Sequence, residues 1–319
     1  MIHRFPLRRP TPVALLCWLL APLWAGGCQA QEAAIASVAG AVPEDVGEHW
    51  VRLLAEDGES DPVAMETAIV RYVPRADFDA NRDPGDYPRF VDLVGAVHIA
   101  DKDYYDELNE RFRGYDAVLY ELVAPEGTVV ERGRGTSNAH PLGAMQNMMK
   151  SALELEHQLE QIDYTAANFV HADMTPDQFM QSMEDRDDGF VKMYLRMVGA
   201  SIAQQTVNQS SGESPEMEML LALVSEDRPR RLKMAMAKQF EGMESLLVGF
   251  SGPDGSTLIT ERNKAALAVL RDQLDHGTAR MAVFYGAGHL SDMHERLIED
   301  FDMQPVAETW LEAWDLRKK

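Results

Sequence analysis

Two periodicities divide this chain between them. Residues 90–97 (FVDLVGAV) form a short Val- and Leu-rich run of the kind that fills a buried strand. Beyond it, Tyr105, Leu108 and Phe112 recur at helical spacing, with Asp101 placed to cap the helix they predict. Gly114 stops that helix, and 115–122 reads as a second strand with Glu121 near its C-terminal end. Strand, helix and strand in this order predict two parallel strands joined by a right-handed crossover. The first strand closes on Gly95-Ala96-Val97-His98. His98 and Glu121 are therefore expected at the carboxyl ends of strands, where open α/β sheets form their sites.

The pattern returns near the C-terminus. Residues 279–285 (ARMAVFY) are another apolar strand, running into Gly286-Ala287-Gly288-His289. Ser291 stands where it could cap the next helix, whose apolar stripe is Met293, Leu297 and Ile298. One Gly-x-x-His is common by chance, but two in the same context are a stronger signal. Gly95 and Gly286 let the backbone turn tightly or approach a ligand closely at a strand end.

Between the two units, most of 142–248 carries apolar residues at helical spacing, in segments 142–159, 176–183, 190–207, 215–224 and 228–247. Methionine is abundant there, which suits an adaptable groove but is more simply core packing. Thr175-Pro176 marks a helix start, and His171 and Asp173 just before it could reach the site from this insertion. Solvated loop groups or caps are the simpler reading of that pair. Residues 257–274 predict a further helix with Arg262 in its early turns, 49–54 a short helix, 63–73 a strand, and 303–311 an edge strand. The fold class that follows is α/β, a mixed and largely parallel sheet with duplicated strand–Gly-x-x-His–helix units and a large helical insertion at about 142–248.

The first 28 residues differ from the rest. Arg4, Arg8 and Arg9 precede an apolar core over 13–24, and Ala25-Gly26-Gly27 lead to Cys28. That is a signal-peptide layout, with a core too short for a comfortable membrane span. Small residues before Cys28 resemble a bacterial lipobox, so Cys28 is expected to become a lipidated N-terminus. An ordinary signal peptide cut elsewhere and an uncleaved anchor are the alternatives. Residues 29–47 read as a tether and 48–319 as the domain, placed in the bacterial cell envelope. Cys17 and Cys28 are the only cysteines, so the domain has no internal disulfide. Thirty basic residues against 52 acidic give a formal charge of −22, which argues against nucleic-acid partners.

With both Gly-x-x-His units, Glu121 in Tyr120-Glu121-Leu122, and Arg262 in Thr260-Glu261-Arg262-Asn263, the chain resembles the TraB/GumN family, which includes the TIKI proteases and has erythromycin esterase-like relatives. The likeness covers roughly residues 63–310, with Asn263 standing where many relatives have Asp. It implies a site of His98, Glu121, Arg262 and His289, and a metal-dependent peptidase acting on a peptide or protein, with manganese or cobalt rather than zinc as activating metal.

Two imidazoles and a carboxylate are a common ligand set for a catalytic divalent metal. His98 and His289 would be ligands, Glu121 a ligand or general base, and Arg262 an electrostatic stabiliser of the oxyanion. A metal-free histidine–glutamate pair activating water uses the same residues. There is no HExxH helix and no Gly-x-Ser-x-Gly elbow. The expected function is an extracytoplasmic metal-dependent hydrolase; the alternatives are a peptide-sequestering protein and a metal-free esterase-like hydrolase.

Overall fold

The computed structural model describes residues 46–318 except 57, 59–60, 126, 134–152, 187–218, 220 and 252–254. The leader with Cys28, nearly all of the tether, the helix expected over 190–207, most of that over 142–159 and half of that over 215–224 lie outside the described residues.

The strands are β1 (Val51–Ala55), β2 (Pro62–Pro74), β3 (Phe90–Ala96), β4 (Ile99–Ala100), β5 (Ala117–Tyr120), β6 (Glu156–His157), β7 (Phe169–His171), β8 (Arg280–Gly286) and β9 (Met303–Asp315). The helices are α1 (Lys102–Phe112), α2 (Gln158–Gln161), α3 (Pro176–Asp185), α4 (Arg228–Ser251), α5 (Arg262–Asp275) and α6 (Leu290–Glu299). A π turn, Thr257–Glu261, leads directly into α5.

Among the described residues, seven strands form one mixed sheet in the order β1-β2-β3-β8-β5-β7, with β9 also on β2. The strands β3, β8, β5 and β7 are mutually parallel, while β1, β3 and β9 are all antiparallel to β2. β9 pairs with β2 from Ala64 to Pro74, so β1 and β3 must share the other edge of β2 end to end. The α/β class and the parallel central strands agree with the sequence pattern. β3 and β5 are parallel as expected but not adjacent, because β8 lies between them.

Strand alternation sends side chains to two cores, one on each face. Val94, Val118, Tyr120, Ala282 and Phe284 pack with Tyr104, Tyr105, Leu108 and Phe112 of α1. Val91, Leu93, Leu119, Met281, Val283 and Tyr285 pack with Ala266, Leu267 and Leu270 of α5 and with Leu290, Met293 and Leu297 of α6. The layers are thus helix, sheet, helix.

Several local expectations need correction. Residues 49–54 are not helical: Val51–Ala55 is strand, drawn onto the part of β2 that β3 leaves open. Asp101 occupies the N-cap position of α1 without capping it, because its carboxylate accepts from Lys233 Nζ at 2.7 Å and from the Asp315 amide at 2.7 Å. Ser291 lies inside α6, whose N-cap is His289. Thr175 does cap α3, in a reciprocal capping box with Gln178.

Candidate functional site

Four parallel neighbours put their carboxyl ends on one edge of the sheet, in the order β3, β8, β5, β7. Each is followed at once by a polar group: His98 after β3, His289 after β8, Glu121 after β5 and Asp173 after β7. Adjacent strands lie about 4.8 Å apart. Glu121 is therefore one strand from His289 and from Asp173, and two from His98.

Arg262 closes the arrangement from above. Ser256 caps the π turn through the Ile259 amide at 3.2 Å, which brings the chain round so that Arg262 opens α5 over the strand ends. Its Nε donates to Asp173 Oδ1 at 3.0 Å and its Nη2 to Asp173 Oδ2 at 2.5 Å. The same Nη2 donates to Glu121 Oε1 at 2.7 Å, and Nη1 lies 3.5 Å from His289 Nε2. The side chains of Asp173, Arg262 and Glu121 are 0%, 8% and 14% exposed, so this is a buried ion cluster. A cation at a helix N-terminus opposes the helix dipole, and here two carboxylates offset that cost.

Glu121 Oε2 accepts the Gly286 amide at 2.7 Å. Burial pushes its pKa up, but the charges of His289 and Arg262, the Gly286 amide and His98 outweigh it and bring the carboxyl down to about 2. Glu121 is a fixed anion rather than a ready base. Arg262 is driven the other way: burial lowers its pKa, but the two carboxylates prevail and raise it.

His289 is buried, with Nε2 3.6 Å from Glu121 Oε1 and its ring edge-on to Tyr285. Tyr285 donates to the Ala172 carbonyl, tying β8 to the chain that presents Asp173. His289 Nδ1 lies 2.6 Å from Asn263 Oδ1. Burial, the largest influence, lowers the pKa of His289 despite the Glu121 charge. His98 is exposed at the rim of the site, its Nδ1 3.3 Å from Gln158 Oε1.

Of the residues picked from the sequence, Glu121, Arg262 and His289 come together, and His98 stands off by the width of β8. Asp173, second-tier in the sequence, is the main partner of Arg262. Its companion His171 is engaged structurally, with Nε2 donating to the Leu122 carbonyl at 2.6 Å. Gly286 touches the site, since a Cβ there would lie 3.2 Å from Glu121 Oε2. Gly95 serves the sheet: its Cβ would meet the Ala68 carbonyl at 3.0 Å, and neither glycine has a positive φ. Asn263, noted in the sequence only as a departure from the family pattern, turns out to be a partner of His289. Its signals were its place beside Arg262, one helical position on, and its standing where many relatives of the resembled family have Asp.

Among the described residues, no three His, Cys, Asp or Glu side chains are gathered as a group that could hold a metal ion. The donor chemistry nonetheless suits a divalent cation. Glu121 and Asp173 against Arg262 leave one negative charge in excess when the imidazoles are neutral, and each carboxylate oxygen of Glu121 has a second lone pair. No family profile, curated protein or solved structure matches the chain.

Proposed function

We propose that this protein is a hydrolase of the TraB/GumN type, acting on peptides or proteins with a divalent metal, manganese or cobalt before zinc. The observation that carries the reading is the convergence of Glu121, Arg262 and His289, separated by 141 and 27 positions in the chain, in one buried cluster at strand ends. Buried charges of both signs gathered at such a place favour function over scaffolding.

His98, His289 and Glu121 are the residues that would hold the metal. A bound cation supplies a water of lowered pKa and polarisation of the scissile carbonyl. Asp173 clamps Arg262 by two bonds, fixing the direction in which its Nη1 is offered to a developing oxyanion. Arg262 and the Gly286 amide hold Glu121 ionised. An open groove of about 600 Å³ is lined by Met174 and Glu261, the chain neighbours of Asp173 and Arg262, together with Gln178, Ser182 and Arg186, and is the surface we assign to an extended peptide. The leader supports a location in the bacterial envelope, with the domain tethered through a lipid on Cys28.

A metal-free reading has one observation of its own: both Glu121 oxygens already accept hydrogen bonds, from Arg262 and Gly286. In that case His289 Nε2 takes the proton from water and Arg262 alone stabilises the oxyanion. Sequestration of peptide without turnover needs the groove but not the cluster.

The test strips the full chain with chelator, adds back manganese, cobalt or zinc, and follows cleavage of a mixed peptide library. Cleavage restored by metal and lost in His289→Ala, His98→Ala and Glu121→Gln is the expected result. Cleavage indifferent to chelator selects the metal-free mechanism. Peptide retention without cleavage under any metal overturns the hydrolase reading.

A further inference from the structure

We infer that Asn263 is a positioning residue that fixes the tautomer of His289, so that Nε2 faces Glu121 and Arg262 as a bare acceptor. The inference deepens the hydrolase reading above and rests on it for its catalytic consequence, though not for its geometry.

The tautomer follows from the donors and acceptors around one amide. Asn263 Nδ2 donates to the His289 carbonyl at 2.9 Å and to Asp292 Oδ2 at 2.8 Å, which uses both of its hydrogens. Turning the amide over would set Oδ1 against a carbonyl and a carboxylate, so its orientation is decided by its partners. Oδ1 must then face the ring, at 2.6 Å from Nδ1, and an amide oxygen only accepts. Nδ1 therefore carries the hydrogen. In the neutral imidazole Nε2 is left with its lone pair, 3.6 Å from Glu121 Oε1 and 3.5 Å from Arg262 Nη1.

Asn263 is itself fully buried and follows Arg262 in the first turn of α5, so one helix start sets both the guanidinium and the imidazole. Asp292 is held in turn by Arg296, through Nε at 2.8 Å and Nη2 at 3.0 Å. An aspartate at 263 would oppose a second carboxylate to Asp292 and forfeit the bond to the His289 carbonyl. The departure from Asp that stood out in the sequence is thus matched by the acid at 292.

His98 shows a looser version of the same device. Gln158 Nε2 donates to the Tyr164 hydroxyl at 2.8 Å, which turns Oε1 toward His98 Nδ1 at 3.3 Å. Both imidazoles thereby present Nε2, whether to a metal or to a proton. Such orienting partners typically change affinity or activity by about 10- to 100-fold when removed.

The test uses the full chain with ¹⁵N-labelled histidine, free of metal, at a pH above the imidazole range. The variants are Asn263→Leu, close in size but without the amide, and Asp292→Ala, which loosens the helix junction while leaving Oδ1 against the ring. The wild type and Asp292→Ala are expected to show His289 with Nδ1 protonated and Nε2 bare. Asn263→Leu is expected to give a mixture of tautomers and a kcat about 10- to 100-fold lower, with KM changed by less than about two-fold. Wild-type His289 protonated on Nε2, or an unchanged tautomer in Asn263→Leu, overturns the inference. The expected tautomers in a protein that cleaves nothing uphold the inference and count against the hydrolase reading alone.

Discussion

One guanidinium answers two carboxylates in this site, and its loyalties are unequal. Asp173 takes two of its hydrogen bonds and Glu121 one. Removing one partner from a buried pair costs about 3–5 kcal/mol, because the remaining charge stays behind. Arg262 would keep Glu121, so Asp173→Ala is expected at the lower end, about 3 kcal/mol, read from the urea midpoint. On the hydrolase reading proposed above, peptide cleavage should fall with it even under conditions where the variant is folded. The pH dependence has a definite sign. Glu121 titrates near 2 in the fold against an ordinary 4.5, so its contribution is complete above the ordinary value and is lost as pH falls from there toward 2. His289, held neutral by burial, adds a loss of the same sign that starts nearer its ordinary 6.5. Acid unfolding of Glu121→Gln should therefore show a shallower loss of stability between about pH 4.5 and 2 than the wild type, measured as urea midpoint against pH. Glu121, Arg262 and His289 were legible because each sits on a short motif. Asp173 was only half legible, since nothing local says which cation a loop carboxylate will meet. Asn263 was illegible as a partner because its role depends on Asp292, a residue of another helix.

Secondary structure was most readable where an element carries its own signal. The apolar runs of β3 and β8 and the Thr175 capping box are of this kind. β1 and β7 are not: the first has no alternation in WVRLLA, and the second has three residues, too few to show a period. Both are strands because a neighbour's unpaired edge recruits them, β2 for one and β5 for the other. β7 matters beyond its length, since it delivers Asp173 to the site. The caps expected of Asp101 and Ser291 failed for a similar reason, a competing partner or a helix that begins earlier. At this scale Gly95 offers a clear test. A methyl group there meets the Ala68 carbonyl at 3.0 Å and Leu290 Cδ1 at 3.5 Å, and a carbonyl committed to a sheet cannot give way. Gly95→Ala is expected to cost about 1–3 kcal/mol, seen as a lower thermal midpoint.

On the scale of the molecule, sequence order and spatial order disagree. The strand at the centre of the parallel array, β8, comes late in the chain, and its contact with β5 joins residues 164 positions apart. β9, later still, covers β2 along most of its length. The pattern could reveal β3 and β8 as strands but not that one lies between the other and β5, because that choice is made by long-range packing. A fragment of residues 46–278 should therefore lack a cooperative melting transition by near-ultraviolet circular dichroism, whereas 46–319 should show one.

The late arrival of β8 also sets a timetable. A chain emerging N-terminus first, from a ribosome or through a membrane pore, exposes β3 and β5 long before the strand that joins them exists. Two apolar edges must wait, each able to pair with a stranger. Nascent copies are most exposed to misassembly in that interval, and the cluster of Glu121, Arg262 and His289 cannot form before β8 has been made. A site so ordered stays open until β8 has taken its place between its two neighbours.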